Sequence, residues 1–185
     1  IAKENGITLN IEIADGLQIG AIDIDDDGLV DAVSASHSNN NVYFHKQSPL
    51  GTWTTTTIAS EIPGATDVFV IDVDGDGVLE VGYALRNGTK FVCRDLWTGD
   101  TKWSLDLPAA PSGPVLCADV DGDGKGEFLV DTWCIGTDSN GEGEIRWTSP
   151  VPLGWAIIAD FDGDGVGEIA CPNQGQITLL KASPR

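Results

Sequence analysis

Four short acidic loops carry the residues of this sequence that are best suited to chemistry. Each loop has carboxylates at positions 1, 3, 5 and 9 and a glycine at position 6, so that alternate side chains converge where the chain turns sharply. Hard divalent cations prefer such oxygen ligands, and the main-chain carbonyl of position 7 together with water completes the cage. The pattern therefore predicts about four calcium ions. Their predicted ligands are Asp23, Asp25, Asp27, Leu29 and Asp31; Asp72, Asp74, Asp76, Val78 and Glu80; Asp119, Asp121, Asp123, Lys125 and Glu127; and Asp160, Asp162, Asp164, Val166 and Glu168.

The helix-flanked EF-hand loop is the nearest alternative arrangement of these acids. It requires a bidentate acid at position 12, which here is Ser34, Tyr83, Val130 or Cys171. The flanking residues also alternate like strands, as in Val68–Ile71 before the second loop. Each loop is therefore predicted to be the turn of a β-hairpin. A merely solvated acidic turn would account for one such loop, but not for four with glycine at the same position.

The net charge of −19 arises mostly within these loops. Four carboxylates in each of the four loops, together with Asp26, account for 17 of the 29 acidic residues, and the other acids nearly balance the 10 Lys and Arg residues. Bound divalent cations are therefore expected to relieve self-repulsion in the metal-free chain. The sequence has no basic patch of the kind that nucleic-acid binding requires.

Length, hydropathy and the calcium loops indicate an exported protein. A chain of 185 residues can bury one core, no apolar run is long enough to span a membrane, and the chain starts at Ile1 as a mature or trimmed product would. Weak calcium loops fill at the calcium concentration outside cells, which indicates an extracellular or cell-surface location. The four cysteines lie in apolar stretches, where buried thiols and two disulfides are both consistent with the sequence: Cys93, Cys117, Cys134 and Cys171.

The spacing of the loops predicts the fold. They start at residues 23, 72, 119 and 160, and intervals of 49, 47 and 41 residues fit a four-stranded propeller blade rather than a helical repeat. We therefore predict an all-β fold, a single β-propeller domain over residues 1–185 with four four-stranded blades. Its repeats cover about residues 15–60, 65–108, 112–149 and 153–181. Strand A enters each loop and strand B leaves it; in the third repeat strand B is predicted at Glu127–Trp133, followed by a shortened strand C near Cys134–Thr137.

The fourth repeat lacks a predicted fourth strand. Residues 6–13 alternate like a strand and precede the first repeat, so we predict that they pair beside residues 176–181 and close the ring. The alternative is that the chain is part of a larger ring of seven or eight blades. A monomer and a homo-oligomer are both consistent with these patterns.

The strand ends opposite the acidic loops carry a predicted ligand site. An indole can stack on a sugar ring, a guanidinium can hold a carboxylate, and amides can meet hydroxyls, so this end is predicted to bind an acidic or neutral glycan. The residues concerned are His37, Arg86, Trp133, Gln174, Trp155, Asn39, Asn40 and Asn87. The alternative is that they are ordinary polar strand ends with two buried indoles.

The segment Ala65–Gly77, with its three relatives, resembles the FG-GAP and VCBS repeats of integrin α chains, propeller lectins and rhamnogalacturonan lyases. The resemblance covers about residues 15–181 and implies a calcium-loaded propeller with its metal positions in the four loops. The chain departs from the pattern at Asp26, where the other loops have glycine, and in the shortened third strand C. Enzymes, lectins and adhesion proteins share the repeat, so the resemblance implies no particular activity.

No catalytic residue is predicted. The histidines His37 and His45 have no Ser or Cys nucleophile motif around them, and most carboxylates are assigned to metal. The sequence therefore favours a calcium-binding module for carbohydrate or an extracellular protein. One alternative is a lyase of uronic-acid polymers, or a fragment of one, with His37 and Arg86 near a calcium-neutralised uronate. Another is a structural or adhesion module of a larger extracellular protein.

Overall fold

The computed structural model describes residues 18–25, 27–36, 38–62, 64–85, 88–164 and 166–182. Across these residues the chain forms fifteen strands and no helix, so the all-β prediction is confirmed for this part of the chain. The strands are β1 (Gln18–Ile22), β2 (Asp31–Ser36), β3 (Asn41–Gln47), β4 (Trp53–Ala59), β5 (Ala65–Ile71), β6 (Glu80–Leu85), β7 (Lys90–Asp95), β8 (Thr101–Asp106), β9 (Val115–Ala118), β10 (Glu127–Val130), β11 (Trp133–Thr137), β12 (Gly143–Thr148), β13 (Ile157–Ala159), β14 (Glu168–Asn173) and β15 (Gln176–Leu180).

The strands form four antiparallel sheets in chain order. The first sheet is β1–β4, the second β5–β8, the third β9–β12 and the fourth β13–β15, each a meander of neighbouring hairpins. In every sheet the acid at loop position 9 pairs with the residue just before the loop: Ile22 with Asp31, Ile71 with Glu80, Ala118 with Glu127 and Ala159 with Glu168. The acidic loops are therefore hairpin turns in one common register, as predicted.

The third sheet differs from the prediction at one turn. β10 ends at Val130, and Asp131 adopts a left-handed conformation with φ of 49°, so that Trp133 begins β11 instead of ending the preceding strand. Only Asp131 and Thr132 separate the apolar residues 128–130 from Trp133, with no glycine or proline to mark a turn, which is why the sequence predicted one longer strand. Strand C of this sheet is thus five residues long and close in length to its counterparts.

Successive sheets pack face to face through three buried clusters in the described part of the chain. Val33 and Phe44 of the first sheet meet Val81 of the second. The second and third sheets share a cluster that includes Phe91, Trp103 and Phe128, and the third and fourth share one built on Leu129, Leu153, Ile169 and Cys171. None of these clusters joins the fourth sheet to the first. The predicted closing strand, residues 6–13, lies outside the described residues.

All four cysteines are described, and none of them forms a disulfide, which decides between the two alternatives left by the sequence. Burial raises the pKa of the Cys117 thiol to about 12, so it is protonated and unreactive at neutral pH.

In the ranges that the structure covers, no helix is long and apolar enough to cross a membrane.

Candidate metal centres and ligand surface

The aspartate at position 1 organises each loop turn. In the second loop, Asp72 Oδ1 accepts the Gly75 N–H at 2.7 Å and Asp72 Oδ2 accepts the Gly77 N–H at 2.9 Å. Asp119 accepts the corresponding two N–H groups in the third loop. Gly77 has φ of 84°, a left-handed conformation that a side chain would strain, which explains the glycine at position 6.

In the second, third and fourth loops, the acids at positions 3, 5 and 9 each accept a backbone N–H through one oxygen. In the second loop, Glu80 Oε2 accepts the Val73 N–H at 3.0 Å and Asp76 Oδ1 accepts the Val78 N–H at 2.7 Å. Glu127 and Glu168 hold the equivalent N–H groups at 3.0 and 2.8 Å. The backbone therefore fixes each side chain and leaves its second oxygen for a cation.

Carboxylate oxygens converge in each loop, including those of the position-1 aspartate, which also accepts backbone N–H groups. In every loop, one carboxylate oxygen from each of three acids lies within 4.8 Å of the other two. In the first loop, Asp23 Oδ1 and Asp25 Oδ1 are buried without a hydrogen-bond partner, as expected of atoms that require a cation. Hard oxygen donors held in this way fit calcium. The converging groups are Asp23, Asp25 and Asp27; Asp72, Asp74 and Glu80; Asp119, Asp121 and Glu127; and Asp160, Asp162 and Glu168.

Asp31, at position 9 of the first loop, is placed differently from the three glutamates. Its Oδ2 accepts the Ile24 N–H at 3.3 Å and its Oδ1 accepts the Gln47 N–H at 3.0 Å. Because aspartate is one methylene shorter than glutamate, both its oxygens are held by the backbone, and Asp27 completes the converging group in its place.

Basic side chains of the chain itself reach into all four loops, which the sequence reasoning missed. Lys102 Nζ, on β8, lies 2.7 Å from Asp74 Oδ2, 3.3 Å from Asp76 Oδ2 and 2.7 Å from Glu80 Oε1. Lys181, just after β15, makes the same three contacts in the fourth loop at 2.8, 2.6 and 2.8 Å. In the first loop, Lys46 on β3 contacts Asp25 and lies 3.3 Å from Asp27. Arg146 on β12 fills the same role in the third loop.

The pKa shifts reflect both the burial of the loop acids and the basic groups beside them. Burial raises the pKa of Glu127 to about 7, although the Val120 N–H opposes this shift. Burial also raises the pKa of Glu80. The hydrogen bonds from Lys181 to Asp162 and Asp164 raise the pKa of that ammonium, so it stays charged. The buried acids are thus unfavourable without a nearby cation, which the chain or a metal can supply.

Successive loops also contact one another. The Gly126 N–H of the third loop donates to the main-chain carbonyl of Asp72 in the second, at 2.7 Å. The Lys125 side chain packs over Gly75, where an added β-carbon would lie 3.3 Å from Lys125 Cγ. Gly122 lies under Val166 of the fourth loop in the same way. Glycine at position 4 therefore makes room for position 7 of the next loop.

The predicted ligand residues that the structure describes lie at the end of the sheets opposite the acidic loops. Asn39 and Asn40 form the β2–β3 turn, and Gln174 forms the β14–β15 turn with φ of 47°. Trp155 precedes β13 and is 73% exposed, whereas Trp133 is only 8% exposed because it packs between the second and third sheets. The remaining three, His37, Arg86 and Asn87, lie outside the described residues.

A groove of about 320 Å³ lies between the third and fourth sheets, near the acidic loops. The Trp147 indole, the Ser149 and Pro150 turn, and Leu180 with Lys181 line it. Its lining combines a flat ring with polar atoms, so it is a second surface on which a small polar ligand could lie.

One serine–histidine pair occurs in the first sheet. Ser34 Oγ lies 2.8 Å from His45 Nε2, and Thr55 Oγ1 lies 3.0 Å from Nδ1. Burial lowers the pKa of His45, so the ring is neutral at pH 7. Ser34 is only 3% exposed, which closes its hydroxyl to solvent and makes the pair a cross-strand contact within the sheet.

Comparison with known proteins places these features in context. Residues 23–83 match the FG-GAP-like repeat family, while no curated protein matches the sequence. The biofilm matrix protein Bap1 of V. cholerae is similar in structure, with a TM-score of 0.53 and 19% identity over 90% of this chain and 29% of its own. An Agrocybe aegerita lectin that recognises non-reducing terminal N-acetylglucosamine also has a TM-score of 0.53, with 16% identity over 87% of this chain and 51% of the lectin.

At these identities the two structures show similarity of fold alone, and this chain spans about half or less of either protein. The family match starts at the first acidic loop and includes the second. The third and fourth loops repeat the same spacing and hydrogen bonds. Residues 23–83 therefore match an FG-GAP-like repeat within an all-β, propeller-like fold.

Proposed function

We propose that this chain is an exported, calcium-binding propeller module that binds carbohydrate. The observation that carries the proposal is the convergence of backbone-held carboxylate oxygens in the hairpin loops. The similar fold of a lectin that recognises N-acetylglucosamine supports a glycan as the ligand. We further propose that residues 1–185 form one domain of four blades, closed by residues 6–13.

Calcium would supply positive charge to acids that the backbone has already oriented. The first, second and fourth loops offer hard oxygen donors beside exposed lysine side chains that can move into solvent. The protein's contribution is to hold strands A and B in register, so that the acids meet before a metal arrives. An extracellular location follows, because calcium is abundant there and such loops bind it weakly.

The glycan is proposed to bind at the strand ends opposite the acidic loops, where Trp155 exposes its ring. Aromatic faces stack on sugar rings, and amide groups at this end of the sheets come from Gln174 in the same sheet and from Asn39 and Asn40 in the first sheet. An extracellular protein is the alternative ligand, and the similar fold of a biofilm matrix protein supports an adhesive role of that kind. The lyase alternative depends on His37 and Arg86, both outside the described residues.

Two binding experiments test this proposal. The first is a glycan array probed in the presence of calcium, and the second is titration with N-acetylglucosamine oligomers and with uronic-acid polymers. Trp155→Ala should weaken binding to the best glycan about tenfold, since an aromatic stacking contact contributes on the order of 1.4 kcal/mol. Trp97→Ala is the matched control, because Trp97 is also exposed but lies in the β7–β8 turn at the acidic-loop end. Equal effects of the two substitutions, or perturbation of the Trp147 groove in an NMR titration, would contradict the proposed placement.

A further inference from the structure

Arg146 contacts the acids at positions 3, 5 and 9 of the third loop, as Lys102 and Lys181 do in their own loops. Its Nη1 lies 3.1 Å from Asp121 Oδ2, 3.1 Å from Asp123 Oδ2 and 2.7 Å from Glu127 Oε1. These are the second oxygens of the acids, the ones that the backbone leaves for a cation. A guanidinium nitrogen therefore lies at the point where the carboxylates converge.

The neighbouring strand is shaped to hold this side chain. A β-carbon added to Gly136 on β11 would lie 2.3 Å from Arg146 Nε, so only glycine leaves room for the guanidinium there. Arg146 Nη2 also lies 3.4 Å from the Thr137 carbonyl oxygen. The side chain is thus fixed by its own sheet as well as by the loop acids.

Exposure separates Arg146 from the three lysines. The Arg146 side chain is 6% exposed, compared with 24% for Lys102, 36% for Lys181 and 42% for Lys46. A lysine ammonium on a flexible side chain can move into solvent when a metal binds, whereas a buried planar guanidinium cannot. Its charge is also permanent, since arginine does not lose its proton in proteins.

We infer that Arg146 is the resident cation of the third loop, and that this loop takes no calcium although its sequence has all the acids. The third loop is then a pseudo-metal site in which the guanidinium replaces calcium. The inference builds on the proposed calcium binding and changes its stoichiometry, because about three ions per chain are expected, one for each of the other loops.

The number of calcium ions bound per chain of residues 1–185 tests this inference. It is measured by equilibrium dialysis and atomic emission, at a calcium concentration just above the one that saturates the wild type. Asp76→Asn in the second loop and Asp123→Asn in the third are a matched pair, because both acids stand at position 5. We expect Asp76→Asn to lose one ion and Asp123→Asn to lose none. Arg146→Gln should gain one ion, and adding Asp123→Asn to it should remove that gain.

Loss of an ion by Asp123→Asn alone would overturn the inference, as would an unchanged count in Arg146→Gln. If Arg146→Gln does not fold, the comparison of Asp76→Asn with Asp123→Asn decides. A wild type that binds no calcium at all would refute the proposed calcium binding. In that case, the gain of an ion by Arg146→Gln would still support the role of Arg146, and no gain would reject it.

Discussion

The carboxylates at positions 3, 5 and 9 of the second, third and fourth loops divide their two oxygens between two partners. One oxygen accepts a backbone N–H of the loop and fixes the side chain, and the other faces the cation. Each carboxylate is thereby oriented before any metal binds, which reduces the entropy lost on binding. Asp31 departs from this division because the backbone engages both its oxygens, and the first loop therefore relies on Asp27.

Asp131 joins three segments of the chain through its side chain and its main-chain carbonyl. It accepts the N–H groups of Ser112 and Gly113, each at 2.9 Å, and its carbonyl accepts the Leu153 N–H. Asp131→Ala should lower the free energy of unfolding by about 2–3 kcal/mol, because it removes these side-chain bonds and leaves alanine in a left-handed conformation. Urea unfolding followed by tryptophan fluorescence measures this change.

Asp131→Asn is the control for that substitution. Asparagine tolerates the left-handed conformation and keeps one side-chain oxygen, so it should lose only about 1 kcal/mol. Equal losses in the two variants would mean that the hydrogen bonds to residues 112 and 113 do not hold this turn.

Spacing along the sequence predicted the three converging acids of each loop, because a hairpin loop brings nearby residues together. The converging groups leave out one predicted acid per loop: Asp31, Asp76, Asp123 and Asp164. Spacing could not predict the basic side chains that enter the loops. These lie 23, 30, 27 and 21 residues after the loop starts, on strand β3, on β8, on β12 and after β15, so no fixed spacing marks them. The first and fourth repeats have a single basic residue each, but the second has four and the third two, so the sequence did not single out the ones that enter the loops.

At the scale of strands, alternation predicted the strands of each repeat, and β3 and β7 show the alternate burial that produces this pattern. The turn at Asp131 was missed because its left-handed conformation leaves no trace in the apolar pattern. The packing partners of each sheet were likewise beyond the sequence. Gly82 shows why: its place beneath the Phe128 ring depends on a contact between two different sheets.

Gly82→Ala tests this packing. A β-carbon at Gly82 would lie 2.4 Å from Phe128 Cε1, so the second and third sheets would have to separate. We expect a loss of about 2–3 kcal/mol in the free energy of unfolding, measured by urea denaturation. Gly88→Ala is the control, since the nearest atom to its added β-carbon is 3.9 Å away.

Adding Phe128→Leu to Gly82→Ala should recover part of the lost stability, because the smaller side chain makes space for the methyl group. If Gly82→Ala proved as mild as Gly88→Ala, the close approach of the two sheets would not limit stability.

For the whole molecule, charge and packing oppose each other. The acidic side chains that give the net charge of −19 repel one another, while three inter-sheet clusters in the described residues hold the sheets together. The basic side chains in the loops offset part of the repulsion, and bound calcium would offset more. Stability is therefore expected to depend on the ionic conditions.

Removal of calcium tests this dependence. At a hundredfold excess over its Kd, each bound ion contributes about 2.7 kcal/mol, so several ions together rival the 5–15 kcal/mol margin of an ordinary domain. EDTA should therefore lower the melting temperature steeply, and added calcium should restore it. Magnesium at equal ionic strength is the control for simple screening of charge, and it should restore much less. A melting curve indifferent to EDTA would contradict the calcium assignment.

The contacts between successive loops have a thermodynamic consequence. Gly126 N–H binds the Asp72 carbonyl, and Val166 packs over Gly122, so the third loop touches the second and the fourth. If Arg146 keeps the third loop ordered at all times, its neighbours form against a surface that has already lost its conformational entropy. Ion binding in the second and fourth loops then costs less conformational entropy in each loop. A neighbour that never changes state transmits no coupling between them, so the two loops are expected to fill independently.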